Sequence, residues 1–319
     1  MIEHRYSVYG VSLSSDIPFD FPSHAGASHD RPHVRFASGR TDDFAAAPAE
    51  DASGNPWFVC QELADGSLYL RWSGLYEFLV DPSGTCVRHR SVAGAEPAVL
   101  QNFLFGQALS FALIRQNVEP VHAAVVDLGG HAIALLGDCT YGKSTLAGSL
   151  LRAGGRLVSD DVLVVHESGG HMMARPGSGR IKLLPDSASA VLGDTLGGVR
   201  IAPQSEKRVF RLHRRLVQWN DVPLRAFVVL PTPEERAACD RFAIDRMSGA
   251  RVFHELLKNT FVRYVHDGRR LHQNFSWNAR LASAIDGYHL GYPSGIDRLP
   301  SVATALIDHF RHHSQGESE

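Results

Sequence analysis

Gly137, Gly142, Lys143 and Ser144 satisfy the pattern GxxxxGK[ST] within Gly-Asp-Cys-Thr-Tyr-Gly-Lys-Ser at 137–144. An apolar run, Ala-Ile-Ala-Leu-Leu, comes before it, and an amphipathic run, Ser-Thr-Leu-Ala-Gly-Ser-Leu-Leu, leads away from it. Strand, loop and helix in that order are the setting in which the pattern has a physical meaning. Backbone N–H groups and the dipole at a helix start favour an anion, so such a loop cradles phosphate. Gly137, Asp138, Cys139, Thr140, Tyr141, Gly142, Lys143, Ser144 and Thr145 are therefore the expected nucleotide-binding residues. Lys143 would place its ammonium on the β and γ phosphates, and the Ser144 hydroxyl would be a ligand to the Mg²⁺ that bridges them. ATP and Mg²⁺ are the small molecules this implies. The bland alternative is a chance glycine turn with Lys143 solvated, and both flanking runs argue against it.

Ser159-Asp160-Asp161 interrupts the apolar run from Leu157 to Val165. Carboxylates set into a core strand need a cation, a donor network or a strand end in solvent, because burying an unpaired charge is costly. Magnesium-bound nucleotide would supply the cation. Neighbouring strand side chains point opposite ways, so one aspartate would face the metal and the other elsewhere, unless a kink brings both to the site. A solvated turn between two short strands is the alternative, since Asp favours turns.

His122-Ala123, a hairpin, the loop from Gly137 to Ser144 and then Gly154-Gly155-Arg156-Leu157-Val158-Ser159-Asp160-Asp161 resemble, in order and spacing, the catalytic core of the HPr kinase/phosphorylase family. The resemblance spans about residues 119–166. It implies an unusual P-loop kinase fold, with Asp160 as general base, Asp161 binding Mg²⁺ together with Ser144, and His122 interacting with the base. The catalytic set on this view is Asp160, His122 and Lys143. Cys139 and Thr140 stand where the family loop carries Ser and Gly, and the family's later glycine-rich segment has no clear counterpart, so phosphorylase activity and HPr as substrate do not follow. The start YSVYGVSLSSDIPF also looks like that of a branch of kinase homologues found beside lasso-peptide genes, some of which phosphorylate a serine or the C-terminal residue of a precursor peptide. The family likeness hints at a homo-oligomer.

The elements that must position these residues can be read from periodicity. Residues 1–95 alternate short apolar runs with turn residues, which predicts a small β-rich domain. Exposed loops are expected at 22–32 and 41–56. Apolar residues on a helical period over 96–116 predict a helix, with the domain boundary near residue 95 and the kinase domain over 96–319. Two strands joined at Asp127-Leu128-Gly129-Gly130 should form a hairpin that runs into the phosphate loop. A helix from Lys143 to about Ala153, a buried strand at 156–165, strands near 180–184 and 225–230, helices near 248–262, 276–286 and 297–311, and a strand at 287–292 complete an α/β (α+β) fold. Basic stretches at Arg175 to Lys182 and at Lys207 to Arg215 are secondary candidates for charge neutralisation or acceptor binding, while Phe253, Phe261 and Tyr264 read as core.

The chain has 319 residues, 44% of them hydrophobic and 21% charged, with a formal net charge of -2. This excludes a broadly basic nucleic-acid-binding surface. No apolar run spans a bilayer and no signal peptide is apparent, so a cytoplasmic protein is expected. Four cysteines far apart and scattered histidines give no disulfide framework or metal-ligand spacing. The reading that follows is an ATP- and Mg²⁺-dependent kinase acting on a hydroxyl of a peptide or protein, a serine or terminal group. Its rivals are a small-molecule hydroxyl kinase and a non-catalytic nucleotide-sensing regulatory module.

Overall fold

The expected β-rich start is one seven-stranded sheet in a mixed α/β chain. A computed structural model describes residues 3–22, 32–48, 57–91, 95, 97–193, 197–260 and 268–312. Most of the two expected loops, the end of the 248–262 helix with Phe261 and Tyr264, and the tail from 313 lie outside the described residues. YSVYGVSL is two strands, β1 (His4–Val8) and β2 (Val11–Ser15), because Tyr9 and Gly10 both take positive φ and turn the chain back on itself. They are followed by β3 (His33–Ser38), β4 (Phe58–Glu62), β5 (Leu68–Trp72), β6 (Tyr76–Val80) and β7 (Cys86–Ser91), in sheet order β1-β2-β3-β7-β6-β5-β4.

The helix expected at 96–116 is α1 (Pro97–Phe103), a wider π turn at Leu104–Ala108, and α2 (Leu109–Arg115). It belongs with the β sheet. The Tyr9 hydroxyl donates to Phe105 O (3.1 Å), and Phe103 packs on Trp72 with ring centroids 4.7 Å apart. The first compact unit therefore runs to Pro120, later than the boundary expected near residue 95.

The second unit begins at Val121. Its first strands are the hairpin β8 (Ala124–Asp127) and β9 (Ala132–Leu136). Buried Asp127 fixes the turn, since its carboxylate accepts from the N–H of Gly129 (3.1 Å) and Gly130 (2.7 Å), from Arg156 Nη2 (2.7 Å) and from Gln218 Nε2 (3.0 Å). A carboxylate this deep is tolerated because every approach to it is a donor. The helix α3 (Lys143–Arg152) and strand β10 (Arg156–Ser159) come next, then a hairpin the sequence did not announce, β11 (Val165–Ser168) and β12 (His171–Ala174).

Beyond it lie β13 (Arg180–Leu183), α4 (Pro185–Leu192), β14 (Val199–Arg200), β15 (Arg208–Arg211), β16 (Val222–Val229), α5 (Pro233–Ala238), β17 (Ala243–Arg246), α6 (Gly249–Lys258), α7 (Gly268–Ala284), β18 (Asp286–Gly291) and α8 (Leu299–His312). The main sheet runs β10-β8-β9-β16-β12-β11, with β18 parallel to β16 and β17 antiparallel to β18. A small sheet, β13-β15-β14, stands apart from it.

All five residues of β9 are buried, and their alternation fills both faces. Ile133 and Leu135 join Leu146 and Leu150 of α3, Val191 of α4 and Leu306 of α8. Ala134 and Leu136 join Val252 and Leu256 of α6 and Leu281 of α7. Helices thus cover both sides of the strand that feeds the loop, which holds the loop's starting point rigid. Among the described residues no helix is long and apolar enough to cross a membrane.

Candidate nucleotide site

The loop leaves β9 at Gly137, whose φ of 146° a side chain would resist; a Cβ there would come 2.9 Å from the Tyr141 ring. Tyr141 N–H closes the loop on Asp138 O (3.3 Å), and Gly142, at φ 89°, turns it into α3. No side chain caps that helix start, which leaves the first N–H groups of α3 open to an anion. Thr140 stands at φ 79°, where the resembling family carries glycine. A β-branched residue is strained there. Cys139 is exposed at the loop tip.

Lys143 is 6% exposed, and its ammonium donates to Gly137 O (2.6 Å) and Asp138 O (3.1 Å), across the mouth of the cradle. Burial pushes its pKa down, against the pull of Asp161 and Asp160. Asn259, at the end of α6, fastens the loop from behind. Its Oδ1 accepts from Gly137 N–H (3.3 Å), and its backbone O accepts from His122 N–H (2.6 Å).

Asp160 and Asp161 do not lie inside a continuous strand, as 156–165 had suggested. β10 ends at Ser159, and Asp161 takes φ 70°, a left-handed turn that swings both carboxylates to the same side. Asp160 Oδ1 accepts from the Ser144 hydroxyl (2.8 Å) and Oδ2 from the backbone N–H of Lys182 on β13 (2.8 Å). Asp161 Oδ2 lies 2.7 Å from Lys182 Nζ. His122 donates from Nδ1 to the backbone O of Asp161 (2.9 Å), which ties it to the turn beside Asp160. The Ser144 hydroxyl bonds, among the described residues, to Asp160.

The surroundings push the two carboxyls in opposite directions. Burial and the neighbouring Asp161 charge push Asp160 up to about 7, against the hydrogen bonds from Lys182 and Ser144. Burial also works to raise Asp161, but Lys182, His122 and Lys143 outweigh it and keep that carboxyl well below the usual range. Burial lowers the pKa of His122, against the pull of the Asp161 charge. The result is one carboxylate close to its titration point beside one fixed as an anion.

Among the described residues no group of three or more His, Cys, Asp and Glu side chains forms a metal cage. Magnesium carried by phosphates needs less, one or two carboxylates and a hydroxyl with water completing the shell. Ser144, Asp160 and Asp161 provide that donor set at the open end of α3, and the two lysines fit a polyanion beside it.

Lys182, Asn259 and Arg236 were not picked out from the sequence as parts of this site, except for Lys182 as one of a basic stretch. Arg175 of that stretch pairs with Asp221 (3.1 Å). No motif marks these three; only folding brings them to the loop. A cavity of about 180 Å³ opens beside the loop, lined in part by Asp138, Tyr141, Thr232, Glu235 and His289. A larger one, about 850 Å³, sits at the far end of α3 against Phe210, Leu212 and Leu216, away from the acidic pair.

No family model matches the chain. It is 29% identical over 103 residues to the HPr kinase/phosphorylase of Chlorobium phaeobacteroides (strain BS1), a stretch that is 32% of this chain and 30% of that protein. The HPr kinase/phosphorylase of Prosthecochloris aestuarii (strain DSM 271 / SK 413) is 27% identical over the same length with the same coverage. The chain thus spans about a third of the length of the curated relatives it matches. The solved structure of the Hpr(Ser) kinase/phosphatase from Coxiella burnetii covers 62% of this chain and 99% of its own at 15% identity, with a TM-score of 0.34. What the comparisons establish is weak homology, over a third of this chain, to proteins named as HPr kinase/phosphorylase.

Proposed function

We propose that the protein is an ATP- and Mg²⁺-dependent kinase that moves the γ-phosphate to a hydroxyl of a peptide or protein. The observation that carries this reading is the 2.8 Å contact between Ser144 Oγ and Asp160 Oδ1. It joins a phosphate cradle to an acidic pair, and a nucleotide sensor needs the metal ligand of that pair but not the base. The homology to kinases over a third of the chain supports the same class.

In this mechanism the N–H groups at the start of α3 and the Lys143 ammonium bind and orient the phosphates. Magnesium, held by Ser144 and Asp161, would supply charge neutralisation on the transferring group. Asp161 suits a metal because Lys182 keeps it ionised. Asp160 suits the base, since a carboxyl raised to about 7 accepts a proton near neutral pH and gives it up again. His122 holds the turn at Asp161 that sets both carboxylates in place.

Incubation with γ-labelled ATP and a panel of serine-containing peptides tests the assignment. Asp160→Asn should keep ATP affinity within about threefold and lose transfer by at least about 10²-fold. If Asp160→Asn instead loses the magnesium response and Asp161→Asn loses only turnover, the two roles are exchanged. If the unaltered protein binds ATP with magnesium yet labels neither a peptide nor a metabolite, the kinase reading fails in favour of a sensor.

A further inference from the structure

The acidic pair reaches the loop from the β8–β10 side of β9, while α5 reaches it from the other side, following β16. The placement of α5 is firmly specified. Thr232 and Glu235 form a reciprocal cap, with Glu235 N–H on Thr232 Oγ1 (3.1 Å) and Thr232 N–H on Glu235 Oε2 (2.8 Å), and Pro233 starts the helix. The next residue, Arg236, points back at the loop.

Its Nη1 donates to the backbone O of Tyr141 (2.9 Å) and to the hydroxyl of buried Tyr292 (3.1 Å). The same nitrogen lies 3.1 Å from where a Cβ on Gly142 would stand, which puts the guanidinium at the N-terminus of α3. Nη1 makes both hydrogen bonds and the guanidinium carbon lies 5.6 Å from the centroid of the Tyr292 ring, while Nε and Nη2 make no hydrogen bond among the described residues. A guanidinium has five donors in a planar fork suited to phosphate, and one edge is spent here on the loop itself. Lone positive charge beside a helix start is unfavourable unless an anion joins it, because both carry the same sign.

We propose that Arg236 is a further phosphate-binding residue, holding the nucleotide at its α-phosphate end, opposite Ser144 and the aspartates. The inference rests on the nucleotide reading above. Magnesium and the transferring phosphate belong on the Asp160 side, so the nucleoside leaves the cradle on the β16 side. The cavity of about 180 Å³ beside Tyr141, Thr232, Glu235 and His289 lies on that side. The bond to Tyr141 O holds Arg236 against the loop before nucleotide arrives, so less freedom is lost on binding.

Calorimetric titration of ATP, ADP and AMP into the full chain tests this, using Arg236→Gln, Arg236→Lys and Tyr292→Phe. Arg236→Gln should weaken all three nucleotides by a similar factor, about 10- to 100-fold, as expected for a lost charge-assisted bond. Arg236→Lys should recover part of the loss, and Tyr292→Phe, which keeps the guanidinium, should stay within about threefold of the parent. Equal losses in Arg236→Gln and Tyr292→Phe would mean that Arg236 merely braces the loop, and would overturn the proposal. So would unchanged ADP and AMP affinity in a folded Arg236→Gln protein. Failure of the unaltered chain to bind any of the three would overturn the nucleotide reading and this inference together, whereas binding that ignores Arg236 removes this inference alone.

Discussion

Lys182 Nζ lies 2.7 Å from Asp161 Oδ2, and the two side chains are 23% and 24% exposed. The same lysine's backbone N–H is bound to Asp160, so one residue of β13 fixes both carboxylates. Asp161 sits below its usual range, so the pair adds stability above the ordinary carboxylate pKa and loses it as pH falls. Lys182→Met should therefore cost about 1–2 kcal/mol at neutral pH in urea unfolding, with the deficit shrinking as the solution is acidified below the carboxylate range. A deficit independent of pH would mean that the lysine stem, not its charge, matters.

Asp160 predicts the opposite slope. Its carboxyl is raised to about 7, so between the ordinary carboxylate range and that value the folded chain holds a proton that the unfolded chain has lost. Stability should fall as pH rises through this window, and Asp160→Asn should flatten the fall. Urea unfolding of the ligand-free protein at about pH 5 and about pH 8 makes the comparison. Identical slopes in parent and variant would contradict the charge assignment.

How far the site was legible follows from how local each part is. Gly137 to Thr145 is contiguous, and the strand before it and the helix after it each carry their own hydrophobic period, so the cradle could be read directly. The aspartate pair was visible as an anomaly in an apolar run. Its geometry was not, because the break after Ser159 depends on the left-handed turn at Asp161 and on Lys182, 21 residues further along the chain. Asn259 and Arg236 carry no pattern of their own and gain meaning only when α6 and α5 arrive at the loop. The hairpin β11–β12 was hidden for a different reason, since half-exposed residues such as His166 and Met172 blur the alternation that marks a strand. The N-terminal helix was found, but its partner was not, since periodicity says that a face is buried and not what buries it.

Thr140 provides a prediction about the loop's own strain. At φ 79° a β-branched side chain is crowded, whereas asparagine tolerates this region through local hydrogen bonding. Thr140→Asn should raise stability by about 0.5–1 kcal/mol without weakening nucleotide binding. Thermal unfolding with and without ATP checks both halves, and a lower melting temperature would contradict the strain.

Asn259→Ala should act on two parts of the site at once. Removing Oδ1 leaves the buried Gly137 N–H without its acceptor, at a cost of about 1–3 kcal/mol. ATP affinity should fall with it, because Gly137 opens the cradle. Asn259→Asp keeps the acceptor for Gly137 N–H but gives up the Nδ2 donation to Glu255 O (2.9 Å), so it should recover only part of the stability. Equal losses in the two variants would show that the hydrogen bond is not what Asn259 contributes.

If a phosphate cradle and an anionic carboxylate share one magnesium ion, ATP affinity depends on both. The most direct measurement is the affinity for ATP with and without Mg²⁺ in the parent protein and in Asp161→Asn. Magnesium should tighten ATP binding to the parent by about tenfold or more, and that gain should vanish in Asp161→Asn while magnesium-free binding is kept. A parent protein whose ATP affinity is indifferent to magnesium, or a variant that keeps the full gain, would contradict it.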